Sequence, residues 1–501
     1  MKRKLIKILT RTAVVFSVLV AVFIVLVVWP LPTPAPLIQA SGPVAITNVS
    51  IINPGDNALL SGQTVLIEKG RIKKVGSNDL FIIPQNAERI DGNGKFLIPG
   101  LWDMHAHMGS ELAPQLTLPL FIAAGVTNIR DLGGYASLEQ KKDWNKQAIA
   151  GNIIGPRIMG QASVFVFSLE TETEARKLVD NFVVGNGDFF KVYNGVLPDP
   201  YFALLKEANA KGIPVLGHKP RAVSAIDAAN YGHKSFEHAR LFLFECYPGA
   251  QKLRERYLAR YTGVDTLNGS IETTAMRREM IDNHDPKLFN ELAAVMVENS
   301  TWFCPTHITR KMDAFADNEE YRQDMRLKYI PFLKKLEWKM DANGMIDRDS
   351  SPRGRKAFMD FYLKGLELTG KAHDAGLKIL AGTDANDTYC FPGLGIHDEL
   401  QELVKAGLTP MEALKTATVN PAAYFDLSAN YGSLAEGKVA DMVLLDANPL
   451  DDISNTSKIN AVIFNGNIYP RKKLDNLLEY VEKNASNLSI ACKLLWKDLS
   501  D

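Results

Sequence analysis

The chain predicts an α/β fold: a (β/α)8 TIM-like barrel, a small composite β-sandwich built from both of its flanks, and an N-terminal transmembrane helix. Three observations predict it. Between residues 97 and 384, short apolar strand candidates alternate with helix-like stretches, the pattern of a parallel barrel. Strand-rich sequence precedes this region from about Val44 and resumes after residue 430. Ahead of both, Lys2, Arg3, Lys4, Lys7 and Arg11 lead into an apolar run from Ala13 to Trp29 that only Ser17 interrupts.

That run is at the short end of a membrane span, and basic residues before it favour a cytoplasmic N-terminus. The competing reading is a cleaved secretory signal, for which Ile38-Gln39-Ala40 is a poor cleavage site. The expectation is therefore a membrane-anchored protein with its catalytic domain on the periplasmic or extracellular side, the alternative being secretion after cleavage. Residues 1–32 form this basic tip and anchor. Residues 43–96 and 430–470 form the composite β-domain, 97–429 the barrel, and 471–501 a tail of unassigned role.

In the first flank, Val44–Val49, Thr64–Lys69, Arg71–Val75 and Lys95–Ile98 read as strands, punctuated by Asn53-Pro54-Gly55 and Asp91-Gly92-Asn93-Gly94. The barrel strands are expected at Leu97–His107, Val126–Asp131, Arg157–Gly160, Phe189–Tyr193, Val215–His218, Ser235–His238, Thr301–Pro305 and Lys378–Asp384. Helices are expected at Glu172–Val184 and Pro200–Lys211. Long connections follow strands six and seven, with helix formers at Leu327–Met340 and Pro352–His373. Such segments sit over the mouth of a barrel, where they would form a lid or substrate wall.

Composition narrows the function. Lys+Arg and Asp+Glu both total 57, so no basic surface points to nucleic acid. The four cysteines, Cys246, Cys304, Cys390 and Cys492, form no C-x-x-C pair and so neither a disulfide framework nor a thiolate metal site.

The strand ends carry the chemistry. His105 and His107 are two apart, so a strand presents both on one face. Lys191, His218, His238 and Asp384 end later strands, and a barrel gathers such residues at one mouth. Six nitrogen and oxygen donors suit borderline or hard divalent metals, and their number suggests a pair of ions. A lysine among them is useful only once its charge is removed, as a carbamate formed with CO2 would do. Tyr193 shares the face of Lys191 and could donate to an oxyanion. His307 follows strand seven, and Arg130 ends strand two and could brace the mouth.

These landmarks resemble the amidohydrolase superfamily, nearest its imidazolonepropionase-like and Xaa-Pro-dipeptidase-like branch. They are Ile98-Pro99-Gly100-Leu101-Trp102-Asp103-Met104-His105-Ala106-His107, Gly125–Asp131, Phe190-Lys191, Phe236-Glu237-His238, Gly382-Thr383-Asp384-Ala385 and Gly432–Asp441. The resemblance spans roughly Val44 to Pro470. It implies that His105, His107 and Asp384 hold a buried metal, that His218 and His238 hold a more exposed one, and that carbamylated Lys191 bridges them. Zinc is the first expectation for both. Asp384 would take a proton from the attacking water and return it to the leaving amine, with His307 and Tyr193 as further catalytic candidates.

One departure bears on the reaction. Deaminases of the superfamily place a glutamate three residues after the strand-five histidine, where this chain reads His218-Lys219-Pro220-Arg221. That counts for hydrolysis over deamination. Lys219, Arg221 and Arg130 could contact a substrate carboxylate, a task guanidinium geometry suits. The expected activity is hydrolysis of amide bonds in dipeptides or N-acyl amino acids. Cyclic amides, esters or lactones are the alternative, and a silent membrane-tethered binding protein is a more distant one. A homo-oligomer is compatible with the sequence, and no nucleic-acid partner is expected.

Overall fold

The computed structural model describes residues 2–31, 34, 42–134, 136–182, 187–265 and 270–500. Fifteen strands are described, in two sheets. The first sheet contains β1 (Val44–Asn53), β2 (Ala58–Glu68), β3 (Arg71–Ser77), β4 (Glu88–Asp91) and β5 (Phe96–Pro99) from the N-terminal flank. From the C-terminal flank it takes β13 (Met442–Leu445), β14 (Ile459–Phe464) and β15 (Asn467–Pro470). Its order is β15-β14-β13-β5-β1-β2-β3, with β4 also on β1, so the two flanks meet where β13 pairs with β5. The sheet bends far enough for β3 to bond residues 437–440: Ile72 N–H donates to Lys438 O at 2.8 Å and Ala440 N–H to Gly70 O at 2.9 Å. One bent sheet, rather than two separate ones, thus encloses Val44, Ile46, Val65, Leu97, Met442, Leu444 and Ile463.

The second sheet is parallel and orders β12-β11-β10-β9-β8-β7-β6. Its members are β6 (Leu101–Ala106), β7 (Val126–Asp131), β8 (Arg157–Val166), β9 (Phe189–Val192), β10 (Val215–Gly217), β11 (Ser235–Glu237) and β12 (Trp302–Cys304). Sequence alternation read Leu97–His107 as one strand, but β5 and β6 are separate and serve different sheets. Gly100 is the switch: its N–H donates to Asp441 O, and the next N–H, of Leu101, donates to Gly125 O across the barrel. A Cβ on Gly100 would meet Thr127 Oγ1 at 2.3 Å, so only glycine permits this crossing.

The eighth expected strand, Lys378–Asp384, is not a regular strand. It closes the barrel through isolated bridges, Phe303 to Ile379 on β12 and Ala106 to Ala385 on β6. Leu380 N–H donates to Phe303 O, Met104 N–H to Ala381 O and Asp384 N–H to His105 O. Asp103, fully buried, fastens the same segment by accepting from the Thr383 N–H at 3.0 Å and its hydroxyl at 2.5 Å. The ladder gives way here because the backbone must turn left-handed at Asp384 (φ 57°), aiming its carboxylate into the barrel mouth.

Helices cover the outside of the barrel. The expected helix from Glu172 runs to Asp180, with Val184 outside the described residues, and that from Pro200 spans Pro198–Ala210. Beyond β11 and β12 lie four helices between residues 241 and 298, then the longer Phe332–Asp347 and Pro352–Asp374. Lys2–Val28 is one helix, and its apolar stretch Ile6–Val28 is long enough to cross a membrane, as an anchor or a signal sequence would be. The tail forms Arg471–Ala485 and Leu488–Ser500, and the latter meets the N-terminal helix where Ser489 Oγ donates to Leu26 O at 2.6 Å.

Gly382 packs the closing segment against β6: a Cβ there would meet Cys304 Sγ at 2.5 Å and the His105 backbone nitrogen at 2.8 Å. Gly382→Ala is expected to cost about 1–3 kcal/mol by overpacking, read as a lower urea midpoint. Cys304→Ala in the same chain should restore only part of it, because the His105 backbone cannot move aside.

Candidate metal centre

The mouth of the barrel gathers the six sequence-predicted donors in two touching groups. In one, the Nε2 atoms of His105 and His107 lie 3.1 and 3.0 Å from Asp384 Oδ1. Lys191 Nζ is 3.2 Å from His105 Nε2. In the other, His218 Nε2 and His238 Nε2 are 2.7 Å apart, and His238 Nδ1 reaches within 3.7 Å of Asp384 Oδ2. Asp384 therefore lies between the two groups.

Local backbone explains the convergence. His105 ends β6, and His107 follows just beyond it, with its Nδ1 fixed by Gly133 O at 3.1 Å. His238 follows β11 in a left-handed conformation (φ 76°), which breaks strand alternation so that Glu237 and His238 both serve the site. Thr306, also left-handed (φ 46°), places its hydroxyl 2.9 Å from His238 Nδ1. Three non-glycine residues in this region at three strand ends mark a site that the surrounding fold holds under strain.

Burial and charge set the protonation states. Burial opposes protonation of His105, but the Asp384 carboxylate beside it and Glu237 on its other nitrogen together hold its pKa above the ordinary value. Burial, then the positive charge of Arg240, pushes His218 well down, and burial and His218 do the same to His238. Both are neutral and have lone pairs to offer. Burial would raise the Asp384 carboxyl, but His105 beside it holds it well below the usual range. Lys191 is 1% exposed, and burial lowers its ammonium pKa.

Beneath the donors runs a buried ionic chain that sequence reading missed. Glu237 accepts from Arg130 Nη2 at 2.8 Å and from Ser235 Oγ at 2.7 Å through one oxygen, and its other oxygen is 2.8 Å from His105 Nδ1. Arg130 also donates to Met104 O at 2.6 Å and lies over the Tyr424 ring. Burial works to raise the Glu237 pKa, but Arg130 brings it down to about 2. The signal was present in the sequence: a carboxylate inside the short strand Ser235-Phe236-Glu237, directly before the donor His238.

The remaining candidates fall in different places. The ring of Tyr193 is edge-on to His218 (centroids 4.8 Å) and stacked on Phe167, with Lys191 Nζ 5.1 Å from its centre. Arg130 lies under the donors, fully buried, rather than at the mouth. The Lys219 amine turns to Val223 O, Pro220 O and Glu245 Oε1, the last at 2.8 Å. Arg221 pairs with Glu272 at 2.7 Å and lines a cavity of about 560 Å3 beside the donors. His307 is fully buried, with neither ring nitrogen hydrogen-bonded among the described residues, and burial lowers its pKa to about 4. Its backbone N–H, with that of Ile308, donates to Glu399, so this residue anchors a helix start.

The donor set fits a divalent metal. His105, His107 and Asp384 offer ligand atoms that all lie within 4.8 Å of one another, of the types that bind borderline ions. The imidazole of His105 is oriented by a carboxylate on its far nitrogen, the arrangement usual for metal-bound histidine. Among the described residues, His218 Nδ1 has no hydrogen-bond partner, although it is buried.

Comparisons with known proteins bear on the fold and the family. The family model described as amidohydrolase family matches residues 363–469, which include Asp384 and the return to the first sheet. Ochratoxinase of Aspergillus niger is 25% identical over 459 residues, covering 85% of this chain and 87% of that protein. Among solved structures, bottromycin amidohydrolase superposes with a TM-score of 0.66 at 20% identity, covering 88% of this chain and 90% of its own. A Xaa-Pro dipeptidase with methionine bound in its active site gives 0.59 at 19% identity, covering 85% and 100%.

Glu237→Gln should weaken metal retention about 10–100-fold, the usual effect of removing a histidine's orienting partner, measured by dialysis against a chelator. It also leaves Arg130 buried without a counter-charge, an expected loss of about 3–5 kcal/mol. Adding Arg130→Met should recover much of the stability in urea but not the metal affinity.

Proposed function

The chain belongs to the amidohydrolase superfamily, and we propose that it hydrolyses amide bonds of small substrates, dipeptides or N-acyl amino acids, with two divalent metals. The observation that carries this reading is the position of Asp384, within hydrogen-bond distance of His105 and His107 and facing His238 across the same pocket. His105, His107 and Asp384 would hold one metal, and His218 and His238 the other. When bound, the metals would polarise the scissile carbonyl and make water acidic enough to attack at neutral pH.

The protein's own groups perform the rest. Lys191 is buried and its ammonium destabilised, which favours the neutral amine that would take up CO2: an N–C bond would form, one proton would leave to solvent, and a carbamate would join the donor set. That oxygen ligand would lie between the two groups of histidines. Asp384, ionised at neutral pH, accepts a proton from the attacking water. It delivers that proton to the departing amine nitrogen as the C–N bond breaks. Tyr193, against His218 and Lys191, is placed to donate to the oxygen of the tetrahedral intermediate. The arginine at position 221, where a deaminase would carry its glutamate, favours hydrolysis over deamination. The Ile6–Val28 helix would tether the enzyme, with its catalytic domain on the periplasmic or extracellular side.

The test is a panel of dipeptides, N-acyl amino acids, cyclic amides and esters, assayed after reconstitution with zinc, manganese or cobalt. Amide hydrolysis that Asp384→Asn lowers by about 10^2–10^4, with folding retained by circular dichroism, is the expected result. Lys191→Ala should release metal and activity together. No turnover of any member by a fully metallated protein would defeat the proposal.

A further inference from the structure

The 560 Å3 cavity beside the donors has an unusual charge balance. Arg221, Arg240, Arg260, Arg277, Arg310 and Arg348 all line it, against two lining carboxylates, Glu272 and Asp313. Those carboxylates are already engaged. Glu272 accepts from Arg221 and from the Tyr257 hydroxyl, at 2.7 and 3.0 Å, and Asp313 pairs with Arg310. Arg260 pairs with Asp265. Among the described residues, the guanidinium groups of Arg240, Arg277 and Arg348 have no hydrogen bond or ion pair. Arg277 is only 5% exposed, lines the cavity and has its guanidinium carbon 4.0 Å from the centre of the Phe358 ring. Residues 266–269, next to this region in sequence, are Thr-Leu-Asn-Gly and bring no charge.

Buried guanidinium groups are normally paired, since taking a cation out of water without a counter-charge is costly. Arg277, buried, and Arg240, half-buried, face one cavity without a carboxylate of their own, with the exposed Arg348 also in its wall, so the partner the site lacks is an anion. The cavity also reaches the metal centre: a smaller one shares Asn194, Arg221, Arg240 and Phe244 with it and extends to His218 and Glu237. That smaller space holds only about 10 Å3, so a ligand in the arginine cavity would lie beside the donors, with its reactive end at this narrow junction.

We propose that this cavity is an oligoanion subsite, selecting substrates whose portion remote from the scissile bond carries two or more negative charges as carboxylate or phosphate groups. The assignment deepens the hydrolase reading and rests on it for the word substrate, but anion binding itself does not depend on turnover. One carboxylate would neutralise one of the three unpaired guanidinium groups. Two or more anionic groups match the excess. Planar N–H forks recognise carboxylate and phosphate oxygens in pairs, which gives orientation as well as affinity. Low-dielectric walls of Phe244, Tyr257, Phe358 and Phe361 strengthen the field inside.

The experiment measures binding of inorganic pyrophosphate and of tricarballylate to the full-length, metal-loaded protein by calorimetry, with acetate as the single-charge control. Both oligoanions should bind at least about tenfold more tightly than acetate, with affinity falling as salt rises. Whichever binds more tightly tells whether phosphate or carboxylate is the natural group. Arg277→Met, which keeps the packing on Phe358, and Arg348→Gln should each weaken binding about tenfold or more while leaving metal content unchanged. Equal affinity for acetate, or oligoanion binding that survives both substitutions and therefore resides on the metals, would overturn the proposal. Hydrolysis is read separately, by comparing Glu-Glu with Gln-Gln. A protein that binds pyrophosphate through these arginines and cleaves no amide sinks the hydrolase reading and leaves the subsite standing.

Discussion

The site depends on one buried carboxylate. Glu237 lies between a permanent cation, Arg130, and an imidazole, His105, and it satisfies both. Without Arg130 its burial would favour the protonated acid, which could not hold His105 in one tautomer. Without Glu237, Arg130 would be an unpaired charge in the core, fully buried among β6, β7 and β11. The pair is thus structural at one end and functional at the other. Arg130 ties three strands together through Met104 O, Ser235 and Glu237, and the same contact aims the first donor of the cluster.

Barrel closure and donor placement are likewise one event. The segment from Lys378 to Ala385 makes only isolated bridges to its neighbours, yet it is the segment that presents Asp384. A regular strand would have kept alternating and carried the carboxylate along the barrel wall. The left-handed turn at Asp384 costs backbone energy, as do those at His238 and Thr306. The interactions that offset this lie nearby: Asp103 on Thr383, His105 O accepting from the Asp384 N–H, and Thr306 on His238.

How far sequence reaches is visible in these same elements. The barrel was legible because apolar strands and amphipathic helices alternate over nearly 300 residues, and periodicity is a local property. The composite sheet was legible because both flanks are strand-like and neither can bury a core alone. Its closure through residues 437–440 was not, since pairing across 360 positions leaves no local mark. His105 and His107 were found because strand alternation puts them together. Glu237 escaped attention because the same rule turns it away from His238, and only the left-handed His238 backbone cancels that rule. Lys219 and Arg221 looked equivalent as charges beside a histidine. Their difference lies in partners 26 and 51 residues further on, Glu245 for the one and Glu272 for the other, which no local reading can pair.

The charge around the donors bears on what Lys191 must be. An ammonium there would face Arg130 below and whatever cations the histidines hold. Against these stand Asp384, a Glu237 already committed to Arg130 and an Asp131 already committed to Lys141. Burial removes the water that would screen such repulsion, so the ammonium is the least tolerable form. Losing the proton removes one unit of positive charge, and adding CO2 to the resulting amine supplies a negative one at the same atom. The arginines sharpen this demand, because their field reaches His218, whose pKa Arg240 helps to depress. On the reading proposed above, a centre that holds cations beside an arginine cavity gains from negative charge inside the donor set beyond that of Asp384, and Lys191 is the residue whose chemistry would provide it.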